Sequence, residues 1–183
     1  RAKFSVEERK ANYDATMRVH AMFGRMSALV AKIQAVRGGA DAAAAKLPAN
    51  DPLRERLAAL SADADTLRKE IVATKEGGAI TGEERLREHM DNLYGGLNGY
   101  EGKPADTLIA YTEVLQRRLE DLEKRFDGLR DGALKQVNDA LETKGAPKIA
   151  LPDQAPTAWR YSGDPNTMPA AFRNHRKAGK LRK

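Results

Sequence analysis

Three stretches of this chain repeat apolar residues at alternating steps of three and four, and that spacing dictates α-helices packed side by side. A helix turns once in 3.6 residues, so a 3,4 repeat keeps one stripe of side chains facing a neighbour along its whole length. In the first stretch Val19, Met22, Met26, Leu29, Ile33 and Val36 carry the repeat, with Tyr13 and Met17 extending the face toward the N-terminus. In the second, Leu53, Leu57, Leu60, Ala64, Leu67, Ile71 and Thr74 do so. In the last, Leu108, Tyr111, Leu115, Leu119, Leu122, Phe126 and Leu129 give way to Leu134, Val137 and Leu141.

Independent end signals bound these stripes. Ser5 followed by Glu8 has capping-box spacing, in which hydroxyl and carboxylate each accept from the other's backbone amide, so a helix starts at Val6. Gly38-Gly39 supplies its stop, and Ala40 to Leu47 adds two further turns before Pro48. Asp51 caps the second helix with Pro52 at its first position, where the missing amide costs nothing, and Gly77-Gly78 ends it. Thr81 with Glu84 opens a shorter third helix on Leu86, Met90, Leu93 and Leu97. Gly128 and Gly132 predict a kink or break in the last helix, since each costs about 1 kcal/mol against Ala. Lys144-Gly145-Ala146-Pro147 terminates it. The expected fold is all-α: an antiparallel up-down bundle of four main helices near 6 to 37, 52 to 75, 82 to 97 and 104 to 144. Residues 1 to 146 form the bundle, and 147 to 183 a proline-rich extension with a basic end.

The formal charge follows the same division. Of 32 Lys and Arg against 26 Asp and Glu, residues 145 to 183 hold eight bases and two acids, so the net +6 lies wholly in the extension and the body is balanced. The chain has no cysteine, which excludes disulfides, thiolate metal sites and a Cys nucleophile, and leaves cytoplasm and cell exterior equally open. No apolar run reaches the roughly 20 residues a membrane span needs, and no charged start followed by an apolar stretch reads as a signal peptide within these residues. The start at Arg1 is what a processed piece of a longer polypeptide would show.

Sites of chemistry are hard to assemble from these residues. Gly95 to Lys103 invites comparison with a phosphate loop, but five residues rather than four separate Gly96 from Gly102, and Pro104 stands where Ser or Thr would bind magnesium. His20, His89 and His175 are isolated, with no i, i+4 pair to grip a metal from one helix face. Glu83-Glu84 and Glu120-Asp121 are adjacent acids of the kind that cover solvated helices. Met17, Met22 and Met26 could form an adaptable surface, though Met22 and Met26 sit on the seam. The expectation is no catalytic residue, no cofactor and no metal.

The extension is different. Pro147, Pro152, Pro156, Pro165 and Pro169 forbid a continuous helix, while Ile149, Leu151, Trp159, Tyr161, Met168 and Phe172 supply apolar anchors. The candidate interaction residues are Trp159, Tyr161 and Phe172, expected to lie across a bundle groove or a partner, and the basic cluster Arg173, Arg176, Lys177, Lys180, Arg182 and Lys183. Such a cluster attracts phosphates or acidic headgroups with strong salt dependence, or else simply solubilises a terminus.

The run from Ile71 to Gly95 (IVATKEGGAITGEERLREHMDNLYG), with Asn98, Tyr100, Glu101, Gly102 and Pro104, resembles the C-terminal helical region of large bacterial proteins built on sortilin-like β-propellers, often labelled glycosyl-hydrolase or BNR-repeat proteins. The opening Phe4 to Lys10 resembles the linker into that region from a preceding β-sandwich domain. The resemblance spans roughly residues 1 to 150 and carries no catalytic motif. It implies export and a protein partner, or packing against the upstream β-propeller and β-sandwich of the same chain. The functional expectation is a noncatalytic helical scaffold and protein-interaction module, with polyanion binding (nucleic acid or acidic lipid) through the tail, or an accessory part of a glycan or peptide hydrolase, as alternatives.

Overall fold

The computed structural model describes residues 3–74 and 83–153. Among these residues every regular element is helical: α1 (Val6–Lys46), α2 (Leu53–Ile71), α3 (Leu86–Asn98), α4 (Asp106–Leu129), a π-helical turn (Arg130–Leu134) and α5 (Lys135–Thr143). Four helices pack together, the last continuing through the π turn into α5.

The helix α1 organises the rest. At 41 residues it is about 60 Å long, and it packs against α2, α3 and α4. Side-chain pairings give the directions. Asn12 and Phe23 of α1 meet Leu97 and Tyr94 of α3, while Leu47 at the end of α1 accepts from Arg54 of α2 and Arg37 meets Asp65, so both partners run antiparallel to α1. Arg18 and Arg25 meet Gln116 and Glu123, so α4 runs parallel to it. The short helices α2 and α3 therefore follow one another along a single column beside α1: α2 covers its C-terminal half and α3 its N-terminal half.

The buried stripes are those of the 3,4 repeat. Val19, Met22, Met26, Leu29, Ile33 and Val36 of α1 are buried in one core with the α2 stripe from Leu53 to Ile71, the α3 stripe Leu86, Met90, Leu93 and Leu97, and Leu115, Leu119, Leu122 and Phe126 of α4. The cap signals also hold. Ser5 N donates to Glu8 Oε2 at 2.8 Å and Glu8 N to Ser5 Oγ at 3.1 Å. Asp51 accepts from Leu53 N at 2.9 Å. Gly145, with φ +68°, closes α5, letting Ala146 N reach back to the Leu141 carbonyl at 2.9 Å.

Six expectations are corrected. The four helices do not alternate up and down: α2 and α3 run the same way, both antiparallel to α1, and α4 runs parallel to α1. Tyr13 and Met17 do not extend the seam; they are 63% and 42% exposed. Continued backward from Val19, the repeat falls on Ala15 and Asn12, and these are buried, because helical phase rather than hydrophobicity decides which side faces inward. Gly38-Gly39 does not stop α1, which continues to Lys46. Gly39 is small for another reason: an added Cβ would lie 2.6 Å from Cγ2 of Ile149. Helix α2 ends at Ile71, leaving Thr74 exposed beyond it, and α3 begins at Leu86 rather than 82. Its first turn is held by Arg85 N donating to Glu88 Oε2 at 3.0 Å. Gly77-Gly78 and Thr81 lie outside the described residues. Finally, the glycines near 130 give no break: the chain inserts one wide π turn, so the buried stripe passes from Phe126 to Leu134 without interruption of the rod.

Candidate interaction surface

The extension begins by packing onto the bundle. After Gly145 the chain turns back along α1 and α5 in an extended course, and Ile149 is 7% exposed, pressed on the bare backbone of Gly39. Asn138 of α5 clasps it from the other side, its Oδ1 accepting from Ile149 N at 2.8 Å and its Nδ2 donating to the Ile149 carbonyl at 3.1 Å. One amide side chain thus satisfies both polar groups of a residue outside any ladder, which is what keeps an extended segment in place. Two ion pairs flank the turn: Lys144 with Asp51 at 2.7 Å and Lys148 with Glu142 at 2.9 Å. The Lys144 ammonium, with Leu53 N, holds the Asp51 carboxyl below the usual carboxylate range. Around this turn lies a groove of about 430 Å³, floored by Ala35, Gly39, Ala42 and Ala43 and walled by Lys144 to Ala150.

The anchors Trp159, Tyr161 and Phe172 and the bases Arg173, Arg176, Lys177, Lys180, Arg182 and Lys183 lie outside the described residues, as do Met168 and His175. Of the sequence-derived anchors the structure places Ile149 and Leu151, both against the core.

The acids that might serve chemistry are engaged between or along helices. Glu123 is gripped by Arg25 through two nitrogens, and Glu120 lies 3.9 Å from the same guanidinium. Glu70 is gripped by Arg125, which lowers its pKa, and Arg125 also faces Asp121. Glu83 accepts from Thr74 and Arg85, tying the end of α2 to the start of α3. Asp65 is the most strongly held: hydrogen bonds from Lys69 and Arg68, with Arg37 of α1 nearby, lower it to about 2. A carboxyl so stabilised as its anion is a poor proton shuttle at neutral pH. His89 stacks edge-on against Tyr111 with Nδ1 3.5 Å from Glu84, and His20 is exposed on α1. Among the described residues no three His, Cys, Asp or Glu side chains converge as metal ligands, and no helix is long and apolar enough to cross a membrane.

The glycine-rich loop is occupied by packing. Gly95 and Gly96 are within α3, Gly102 lies under the rings of Phe4 and Tyr100, and Lys103 faces Asp106 at 3.5 Å. Two residues with structural roles escaped the sequence reading, Asn12 and Asn138. The first was legible as the backward continuation of the repeat; the second carries no local signal.

No family model matches the chain, and neither a curated protein nor a solved structure matches it.

Proposed function

We propose that this chain is a noncatalytic helical scaffold and protein-interaction module, the C-terminal piece of a larger exported protein whose upstream β-propeller and β-sandwich domains it packs against or extends. The observation that carries this reading is the use of its charged side chains. Arg25 with Glu123, Arg125 with Glu70, Lys144 with Asp51 and Arg37 with Asp65 each join two different elements. Acids committed to pairs that fix helix against helix serve the rigidity of a rod rather than proton transfer. The resemblance of residues 71 to 95 and 4 to 10 supplies the context of export and of upstream domains.

The test has two arms. Incubation of the chain with glycan and peptide substrates is expected to give no turnover, and calorimetry with the upstream domains is expected to show stoichiometric binding. Turnover abolished by substitution of a single acid would overturn the reading in favour of a hydrolase part. A second reading, polyanion binding by the tail, is favoured by one observation: the whole net charge of +6 lies in residues 145 to 183.

A further inference from the structure

At the N-terminal end of α1 the buried stripe turns polar, and beside it lies a cleft of about 360 Å³ whose only apolar surface is that of two tyrosine rings. Its lining is in two tiers. Asn12 and Thr16 of α1 form the floor and are 7% and 8% exposed. Arg9 and Tyr13 of α1, with Asn98 at the end of α3 and Tyr100 and Glu101 after it, form an exposed rim. The floor is committed on one side only. Asn12 Nδ2 donates to the Leu97 and Tyr100 carbonyls, and the Thr16 hydroxyl donates to the Asn12 carbonyl at 2.8 Å. Asn12 Oδ1 is buried and accepts from no donor among the described residues. A buried acceptor without a donor is a cost that the cap on α3 does not require, since the donor half of the amide alone makes that cap. The acceptor half is left for a group that brings its own donor.

We propose that this cleft binds a neutral hexopyranose unit of a glycan, its hydroxyl groups on the polar lining and the flat C–H face of its ring against tyrosine. Charge is the first reason: Arg9 and Glu101 cancel, so the lining as a whole favours neither anion nor cation. Hydrogen bonding is the second. The floor offers acceptors, the rim offers donors and acceptors, and the side chains of Arg9, Tyr13, Asn98 and Glu101 are spent on no hydrogen bond or ion pair among the described residues. A sugar hydroxyl both donates and accepts, and so meets both tiers. A proline-rich peptide, which aromatic clefts also take, presents carbonyls and few N–H groups and would leave the floor acceptor unpaired. Shape is the third. Tyr13 and Tyr100 are 63% and 47% exposed, each giving an apolar face with a polar end. Tyr100 is held in place: Phe4 meets its ring edge-on with centroids 5.3 Å apart, and a Cβ on Gly102 would lie 2.7 Å from Phe4 and 2.8 Å from Tyr100. The volume is at the small end for ligand sites, which run from about 300 to 1,000 Å³, and suits a mono- or disaccharide. With so few contacts a dissociation constant of about 1 mM is expected.

Titration of the full isotope-labelled chain with maltose, cellobiose, lactose and N,N′-diacetylchitobiose, followed by NMR, tests this. At least one is expected to shift the backbone amides of residues 9–16 and 97–101 together with the Asn12 side-chain amide, saturably and without dependence on salt, because no net charge is engaged. Tyr13→Ala and Glu101→Ala remove exposed side chains that tie no two elements together. Each is expected to leave the unfolding midpoint unchanged while weakening binding at least tenfold. Val114→Ala, at an exposed apolar residue of α4 outside the cleft, is expected to change neither. Saturation by none of the four sugars, shifts confined to other residues, or an affinity indifferent to both Tyr13→Ala and Glu101→Ala would each overturn the proposal. So would hexaproline shifting the same amides where the sugars do not, which would assign the cleft to a peptide. Salt-sensitive binding of glucuronate in preference to glucose would overturn it as well, by assigning the cleft to an anion held on Arg9.

Discussion

Gly39 and Ile149 meet backbone to side chain: a Cβ on Gly39 would stand 2.6 Å from Cγ2 and 3.3 Å from Cβ of Ile149. The contact joins the fourth quarter of α1 to a residue more than a hundred positions later, and it is why a glycine stands at position 39 inside a continuous helix. Its neighbour Gly38 has nothing within 4 Å of an added Cβ. Two adjacent glycines therefore respond oppositely to substitution.

Gly39→Val is expected to cost about 1 to 3 kcal/mol, because a side chain forced into a closed contact displaces Ile149 from the Asn138 clasp. Gly38→Ala is expected to add up to about 1 kcal/mol by removing a flexible residue from a helix interior. Urea denaturation of the two variants checks the difference in sign; equal effects would show that the Ile149 contact does not form.

Asn12 supplies a second contrast. Its Nδ2 donates to the Leu97 carbonyl at 3.0 Å and to the Tyr100 carbonyl, so one buried amide caps the open end of α3 from another helix. Asn12→Leu, which completes the apolar repeat, is expected to destabilise by about 1 to 3 kcal/mol, since the Leu97 carbonyl loses a buried partner and the Tyr100 carbonyl a half-buried one. Tyr13→Ala, beside it on the exposed face, is expected to change stability by less than about 0.5 kcal/mol. Hydrogen exchange of residues 97 to 101 should quicken in the first variant alone.

The sequence made the helices legible where hydrophobicity and phase agree. Val19 to Val36 and Leu53 to Ile71 were readable because each seam position is also apolar. The reading failed at Tyr13 and Met17, where apolar residues stand off the stripe and the stripe itself turns polar at Asn12. Gly39 reads as a terminator because sequence does not distinguish a glycine needed for its torsion angles from one needed for its missing side chain. The role of Asn138 was invisible, because its partner Ile149 lies eleven residues away across a turn. Of the candidate site, only its root at Ile149 and Leu151 is placed by the structure, and the ion pairs that close off the acids depend on helix directions that no single stripe encodes.

Asp65 makes stability depend on acid. Its carboxyl is held at about 2 when folded, against 3.8 for the free group, by Lys69 and Arg68 first and then by the charge of Arg37. The folded state thus binds that proton more weakly than the unfolded one. Its stabilisation is complete above the unfolded value and is lost as pH falls from about 4 toward 2. Asp65→Asn is expected to cost about 1 kcal/mol at neutral pH and to flatten the fall in the urea midpoint across that window. An unchanged slope would mean that other lowered carboxyls, among them Glu70 and Asp51, account for it.

The basic end offers the last test, separating scaffold from polyanion binder. Residues 173 to 183 contain Arg173, Arg176, Lys177, Lys180, Arg182 and Lys183 and no acid. Each cation that neutralises a phosphate releases about 0.7 to 0.9 of a counterion, so full engagement of six gives a slope of log K against log salt near −4 to −5. If the tail binds polyanions, the intact chain should hold single-stranded or duplex nucleic acid, or vesicles of acidic lipid, with that steep dependence. Truncation after Phe172 should abolish it and leave the unfolding midpoint unchanged, since the Ile149 contact and its Asn138 clasp remain. Truncation after Ala146 should behave differently, costing about 1.5 to 3 kcal/mol for the loss of the buried Ile149 side chain. A slope near zero with the intact chain would leave the six charges as a solubilising end and the scaffold reading alone.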